Sequence, residues 1–164
     1  MPSAVWRSAG RQHRQALSQF ICADPEKQSY DPHRGRHHPK PWEYEVQSHL
    51  RGLKVPVPDG SALALGTDAQ GIVGAVHYGF VGEDEQFLIW AVATACRARG
   101  RGHGRQAVDY AIESCRLTKE QYDLDCGVFT RIDPRNEPSR RLFQSRGFEY
   151  LDVYRDLELW VRDL

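Results

Sequence analysis

The chain has 164 residues, 40% of them hydrophobic, which is typical of one domain with a substantial core. Its 22 basic and 22 acidic residues cancel, whereas dedicated nucleic-acid-binding proteins usually carry a clear basic excess. No apolar run approaches the roughly 18 residues of a membrane span. Cys22, Cys96, Cys115 and Cys126 form no CxxC pair, which argues against a zinc knuckle or a disulfide framework. We therefore expect a soluble cytoplasmic protein with reduced thiols and no membrane partner.

The first part of the chain predicts a short strand and two helices. Residues 3–7 favour a strand, β1, and a helix, α1, fits residues 10–22 with Ser8 as its cap. Residues 24–41 hold four prolines and three histidines without apolar periodicity, so they predict a long loop, which is often functional. A second helix, α2, fits residues 42–53.

The rest of the chain begins with β-rich runs that are separated by short polar turns. The predicted elements are β2 at 61–67, β3 at 71–80, β4 at 86–94, α3 at 105–117, β5 at 123–131, α4 at 136–146, and β6 and β7 within 148–161. The order β1-α1-α2-β2-β3-β4-α3-β5-α4-β6-β7 predicts a single α/β domain of the α+β type over residues 1–164. We expect a mixed, mostly antiparallel twisted sheet of about seven strands, flanked by four helices.

A glycine- and arginine-rich stretch, ARGRGHGRQAVDYAI at 98–112, joins β4 to α3. A tight turn before a helix presents backbone N–H groups and the positive end of the helix dipole to one point, which suits a phosphate. A disordered basic tract that binds RNA would have solvated flanks, yet core-forming residues lie on both sides. A dinucleotide-binding turn would open a parallel βαβ unit, whereas this turn follows an antiparallel meander. The stretch therefore predicts a folded phosphate-binding loop.

Two motifs and the element order together indicate a family. The strand, the R-x-x-G-x-G loop and the helix, followed by NEPSRRLFQSRGF at 136–148, resemble the GNAT superfamily of acetyl-CoA-dependent N-acetyltransferases. The element order resembles that fold across nearly the whole chain. The loop motif admits two registers, one starting at Arg97 and one at Arg99. The second is favoured because it points Ala107 and Val108 into the core.

The resemblance implies that acetyl-CoA is the acyl donor and that the loop holds its pyrophosphate. In this family β4 and β5 splay apart for the pantetheine arm, and the extra residues between Val92 and Arg99 suit a bulge. The implied coenzyme-binding residues are Val92, Ala93, Thr94, Arg99, Gly100, Arg101, Gly102, His103, Gly104, Arg105, Asn136, Ser139 and Phe143. Asn136 is equally well explained as an ordinary helix cap. Phe143 stands where the family commonly has a proton-donating tyrosine.

Transfer to a primary amine requires a base, because an amine with a pKa of about 10.4 is protonated at pH 7. Many relatives use a glutamate on β4, but the sequence QFLIWAVAT contains no carboxylate. Glu85, in the turn before β4, is the candidate base through a water chain. Tyr154 is the candidate proton donor in place of the missing tyrosine. His77 has a suitable intrinsic pKa of about 6.5, but a lone strand histidine is more often structural.

The region between α1 and α2 lines the acceptor cleft in this fold, which makes Tyr30, Trp42 and Tyr44 candidate substrate-binding residues. The basic HRGRHHPK suits an anionic acceptor and the acidic EYE a cationic amine, so the acceptor stays open. The loop histidines lack the fixed scaffold of a metal site, and no metal is expected. The alternatives to acetyl transfer are a non-catalytic acyl-CoA sensor and local RNA binding. The oligomeric state is open, with a homodimer as one option.

Overall fold

The computed structural model describes residues 3–164, so the first two residues of the predicted domain lie outside it. Seven strands form one mixed sheet with the spatial order β1-β2-β3-β4-β5-β7-β6. The strands are β1 Val5–Ser8, β2 Ser61–Asp68, β3 Gly71–Val81, β4 Gln86–Thr94, β5 Gly127–Ile132, β6 Glu149–Tyr154 and β7 Leu157–Asp163. Neighbouring strands are antiparallel except β4 and β5, which run parallel. The predicted fold class is confirmed.

Four α-helices flank the sheet, and one of them is shorter than predicted. They are α1 Arg14–Ser18, α2 Pro41–Gly52, α3 His103–Tyr122 and α4 Glu137–Ser145. A 3₁₀ turn, Arg11–His13, precedes α1. The chain leaves the helix before Cys22 and Ala23 because their backbone N–H groups donate to Oε1 of the buried Gln47 side chain, each at 3.0 Å. A side chain from α2 thus replaces the helical hydrogen bonds that periodicity predicted.

The predicted loop at 24–41 contains a small antiparallel hairpin. Ser29–Asp31 pairs with Gly35–His37, and Oδ1 of Asp31 accepts from the backbone N–H of His33 at 2.7 Å. Gly35 has a φ of +68°, the left-handed conformation that glycine adopts without steric cost. This hairpin carries no apolar alternation, because its residues lie at the surface, so the sequence pattern could not reveal it.

Two apolar clusters occupy the opposite faces of the sheet. One packs against α3 and α4 and includes Val76, Phe87 and Ile89. The other packs against α1 and α2 and includes Leu17, Leu50, Leu65, Val73 and Ala91. Among the described residues, no helix is long and apolar enough to cross a membrane, and no three metal-ligating side chains cluster.

Candidate active site

The sheet splits between β4 and β5. Their parallel pairing runs from Phe87–Val128 to Ile89–Thr130 and then stops. At the last pair, the Thr130 hydroxyl donates to the carbonyl of Ile89 at 3.2 Å. Beyond this point β4 continues beside β3 and β5 continues beside β7. The second half of β4 therefore has unpaired backbone groups on its β5 side, which can pair with an extended ligand.

A β-bulge lies at Trp90, and not after Val92 as expected. His77 pairs with Ala91 and Tyr78 with Ile89, so Trp90 is the extra residue. An inserted residue reverses the faces of the side chains that follow. Phe87 and Ile89 accordingly face α3, whereas Ala91 and Ala93 face α2. The bulge sits directly after the last paired residue, and so it marks where the cleft begins.

Two adjoining cavities fill the cleft. The loop-side cavity, about 380 Å³, lies toward the start of α3, and seven predicted coenzyme-binding residues line it: Val92, Ala93, Thr94, Arg99, Gly104, Asn136 and Ser139. The strand-side cavity, about 310 Å³, lies at the bulge and is lined by Ile89, Trp90, Thr130, Phe143 and His49, among others. Trp42, Val92, Asn136 and Ser139 line both cavities. The two spaces therefore form one continuous cleft.

The glycine-rich loop is ordered and ends in an open helix N-terminus. A 3₁₀ turn, Cys96–Ala98, leads into it, and α3 begins at His103 with Gly102 as its N-cap. Gly100 and Gly102 have φ values of +77° and +82°, which side-chain-bearing residues rarely adopt. No side chain of residues 3–164 caps α3, so the first N–H groups stay available to a ligand. The helix starts two residues before the predicted 105, and Ala107 and Val108 are fully buried, as the register from Arg99 requires. The loop is folded, so the alternative of a disordered basic tract is wrong.

The arginines around this loop differ in what they contact. Arg97 binds Asp68 through two nitrogens, at 2.9 and 3.0 Å, away from the cleft. Arg99 donates to the Cys22 carbonyl at 2.7 Å and lies 3.3 Å from Glu43, on the cleft wall. Arg101 and Arg105 are exposed and form no ion pair among the described residues.

Cys22, whose carbonyl accepts from Arg99, also lines the loop-side cavity. Burial raises the pKa of the Cys22 thiol to about 12, so this thiol stays protonated.

The start of α4 contributes Asn136 and Ser139. Asn136 caps the helix by accepting from the Ser139 N–H at 3.3 Å, and its amide donates to the Ser139 hydroxyl at 3.0 Å. Both residues also line the cleft. Phe143, one turn further, is 3% exposed and packs edge-on against Phe148. It closes the end of the strand-side cavity with an apolar ring and no hydroxyl.

Neither predicted catalytic residue lies in the cleft. Glu85 is exposed in the turn before β4 and lines neither cavity. Tyr154 lies at the end of β6 with the Arg131 guanidinium 5.2 Å from its ring centre. It lines a separate cavity of about 440 Å³ with Asp84. Sequence proximity to β4 and α4 selected these residues, but both lie away from the cleft.

The three predicted acceptor-binding residues lie in two different places. Trp42, at the start of α2, lines both cavities and stacks against the Arg135 guanidinium, 5.2 Å from the ring centre. Tyr30 is 75% exposed on the small hairpin and, with Tyr44, lines a different surface pocket. Of the three, the structure brings only Trp42 to the cleft.

A histidine pair that sequence reasoning missed borders the strand-side cavity. Nε2 of His49, on α2, lies 2.9 Å from Nδ1 of His77, on β3. His77 is 7% exposed and packs under the bulged Trp90, with ring centres 4.8 Å apart. Burial lowers the pKa of His77 to about 4 and lowers the pKa of His49 below its ordinary value. Both rings are therefore neutral at pH 7. Neither residue forms a local motif, so only the packing of α2 on the sheet reveals the pair.

The parallel strand pair that splits beside a glycine-capped helix belongs to a single α/β domain with a seven-stranded mixed sheet. Residues 23–148 match the model of the acetyltransferase (GNAT) family. The chain belongs to this family, whose members transfer acetyl groups from acetyl-CoA. A comparison with curated proteins gives no match.

Solved structures share the fold at low sequence identity. A protein described as an acetyltransferase of the GNAT family from Desulfovibrio desulfuricans superposes with a TM-score of 0.71 at 16% identity, covering 98% of both chains. The PaiA N-acetyltransferase from Thermoplasma acidophilum, solved with coenzyme A, gives 0.69 at 8% identity and covers 99% of this chain and 100% of its own. A GNAT-family acetyltransferase from Staphylococcus aureus Mu50 superposes with a TM-score of 0.66 at 13% identity, covering 98% of this chain and 99% of its own.

Proposed function

We propose that the chain transfers the acetyl group of acetyl-CoA to a primary amine by direct attack on the thioester. The observation that carries this proposal is the cleft, which joins an unpaired strand edge to an open helix N-terminus. The unpaired edge of β4 suits the amides of pantetheine, and the helix N-terminus suits the pyrophosphate. In this proposal residues 1–164 act as one domain in the cytoplasm, where the four free thiols stay reduced.

The charges at the loop support the coenzyme arrangement. Arg101 and Arg105 have no acidic partner among the described residues and flank the first turn of α3. They are free to form charge-assisted hydrogen bonds with phosphate oxygens. Arg99 is already held by Cys22 and Glu43, and so it shapes the cleft wall more than it supplies free charge. The predicted coenzyme-binding arginines thereby divide into two exposed ones that can reach a phosphate and one that fixes the cleft wall.

The reaction requires attack geometry and charge stabilisation. The amine nitrogen forms a bond to the thioester carbonyl carbon and loses one proton to a base or to water, the C–S bond breaks, and the coenzyme thiolate departs. Holding the two reactants together in the cleft lowers the entropic part of the barrier. An unpaired N–H on the second half of β4 can stabilise the developing oxyanion.

A second candidate function is acyl-CoA sensing without catalysis. Phe143 supplies no proton, and β4 carries no carboxylate, which together favour this alternative. The two functions share coenzyme binding and differ only in turnover.

Turnover with an amine panel separates them. The protein is incubated with acetyl-CoA and lysine peptides, polyamines or aminoglycosides, while free thiol is measured with a chromogenic disulfide and products by mass spectrometry. We expect amine-dependent thiol release with one acetyl group added to the amine. If acetyl-CoA binds in calorimetry but no amine releases thiol, the transferase proposal is overturned and the sensor is supported. RNA binding that acetyl-CoA fails to displace would instead support the local RNA role.

A further inference from the structure

The two histidines at the bulge form a pair with unequal access to the cleft. The His49 ring lines the strand-side cavity, whereas His77 lies behind it, buried under Trp90. Within residues 3–164, the His49 ring forms one hydrogen bond, between its Nε2 and Nδ1 of His77. Nδ1 of His49 is therefore the ring nitrogen left for a ligand in the cavity.

The shared hydrogen bond has two arrangements of its proton. If His49 carries it on Nε2 and donates to His77, the lone pair on Nδ1 of His49 is free to accept a proton. If His77 donates instead, the proton of neutral His49 sits on Nδ1, and this histidine has no free lone pair. The first arrangement leaves the proton of His77 on its Nε2, which is buried without a hydrogen-bond partner among the described residues.

The cavity that His49 lines also has charged residues from three places. Glu45 lies one turn earlier on α2, Arg131 lies on β5, and Asp133 follows β5. Asp133 forms an ion pair with Arg135 at 2.8 Å. The other two charged residues of this cavity are Glu45, which is negative, and Arg131, which is positive. On the sheet side the only titratable group in contact is His77, and no carboxylate bonds either ring among the described residues.

We propose that His49 is the general base of the acetyl transfer and that His77 is its positioning residue. This rests on the proposed function of the cleft. As the amine nitrogen bonds to the thioester carbon, its proton moves to Nδ1 of His49, and the electrons of the broken C–S bond leave with the coenzyme thiolate. The resulting imidazolium keeps its Nε2–H bonded to Nδ1 of His77. The proton stays on His49 because charging the buried His77 ring is unfavourable.

The arrangement of the shared proton is tested without any acceptor. Long-range ¹H–¹⁵N NMR spectra of the full chain identify the protonated nitrogen of each ring, and His49→Gln and His77→Gln spectra provide the assignments. We expect His49 to be protonated on Nε2 at pH 7.5, and His77 likewise. A His49 ring protonated on Nδ1 would overturn the proposal, whatever the protein acetylates.

Kinetics test the role itself, with the amine that is turned over fastest. We expect His49→Gln to lower kcat by about 100-fold, the usual contribution of a general base, with acetyl-CoA affinity unchanged. The matched control, Ser48→Gln, alters the exposed neighbour on the same helix and should keep full activity. Activity of His49→Gln within a few-fold of wild type would overturn the proposal and leave the transferase function standing.

The pH profile distinguishes positioning from packing. Protonation of His49 should lower kcat/KM on the acidic side of the pH profile. The pH at which this decrease occurs should be the same for acceptors whose amines have different pKa values. His77→Phe removes the acceptor for the His49 imidazolium and should shift this decrease to lower pH, whereas His77→Gln, which retains an acceptor oxygen, should restore it in part. An unshifted decrease in His77→Phe would overturn the positioning role. Lack of transfer to any amine would overturn the proposed function and the His49 assignment with it.

Discussion

The backbone conformation of Gly102 controls where α3 begins. Its φ of +82° places it in the left-handed region, and a Cβ there would contact nothing within 4 Å. A substitution therefore acts through backbone strain alone, of about 1–2 kcal/mol for an ordinary residue. We expect Gly102→Val to move the first N–H groups of α3 and to weaken acetyl-CoA binding about tenfold or more in calorimetry.

Gly82 provides the matched control for this prediction. It lies in the turn between β3 and β4, has open space around its Cα and does not adopt the left-handed conformation. Gly82→Ala should leave both the affinity and the stability close to those of the native chain. Equal affinities for the two variants would contradict the assignment of Gly102 to the coenzyme-binding loop.

His77 should make the protein less stable in mild acid. Its pKa of about 4 in the folded state is below the value of about 6.5 expected in the unfolded chain. Between these values the unfolded state binds more protons, so the free energy of unfolding falls as the pH is lowered from 6.5 to 4. Each unit of pKa difference corresponds to about 1.4 kcal/mol.

Urea unfolding at a series of pH values measures this effect. His77→Gln cannot take up the proton, so its free energy of unfolding should change less across the same pH interval, whatever its stability at pH 7. His13→Gln is the control, since this partly exposed histidine lies outside the cleft. Parallel pH curves for native and His77→Gln chains would show that His77 does not resist protonation.

At the scale of elements, α4 combines a structural cap with a cleft wall. The Asn136 side chain satisfies the Ser139 N–H and also borders both cavities. We expect Asn136→Ala to cost about 1 kcal/mol of stability through the lost cap, and Asn136→Ser to restore most of it. Acetyl-CoA affinity should fall in both variants, because serine is shorter than the asparagine side chain that lines both cavities. If Asn136→Ser regains the native affinity for acetyl-CoA, Asn136 acts only as a helix cap and does not bind the coenzyme.

The succession of elements was predictable because periodicity is a local property. β2, β3 and β4 are nearly continuous buried runs because helices cover both faces of the sheet, and α3 has one apolar stripe because only one of its faces meets the sheet. The bulge at Trp90 was misplaced because Trp90 is as apolar as its neighbours, and only cross-strand pairing shows which residue is extra. The end of α1 depends on Gln47, which lies more than twenty residues away.

The parts of the candidate site that lie in local sequence motifs were predictable, whereas the parts that depend on distant contacts were not. The residues of the glycine loop and of α4 lie in contiguous motifs, and seven of the predicted coenzyme-binding residues share one cavity. The histidine pair joins α2 to β3 across 28 positions of sequence. Neither residue carries a local signal, because the contact depends on the angle at which α2 packs against the bulged strand. Glu85 and Tyr154 were selected by sequence proximity, which does not correspond to proximity in the cleft.

At the scale of the whole molecule, the cleft lies where two halves of the sheet separate. One half, β1 to β4, carries α1 and α2, and the other, β5 to β7, follows α3. Beyond Ile89 and Thr130 no strand pairing joins them. A ligand that pairs with β4 while contacting α4 would therefore connect the halves. We expect acetyl-CoA at 100 times its Kd to stabilise the native state by about 2.7 kcal/mol, as a raised thermal midpoint.

Hydrogen exchange should locate this stabilisation. The N–H groups of residues 90–94 that point away from β3 have no strand partner, and those of residues 103–105 lie in the open first turn of α3. Both segments should exchange rapidly in the free protein and become protected when acetyl-CoA binds, because the coenzyme supplies the missing acceptors. The backbone of residues 5–8 in β1 already pairs with β2, and these residues line neither cavity, so they should not change. Protection confined to 103–105 would mean that the coenzyme is held by its phosphates alone and does not pair with β4.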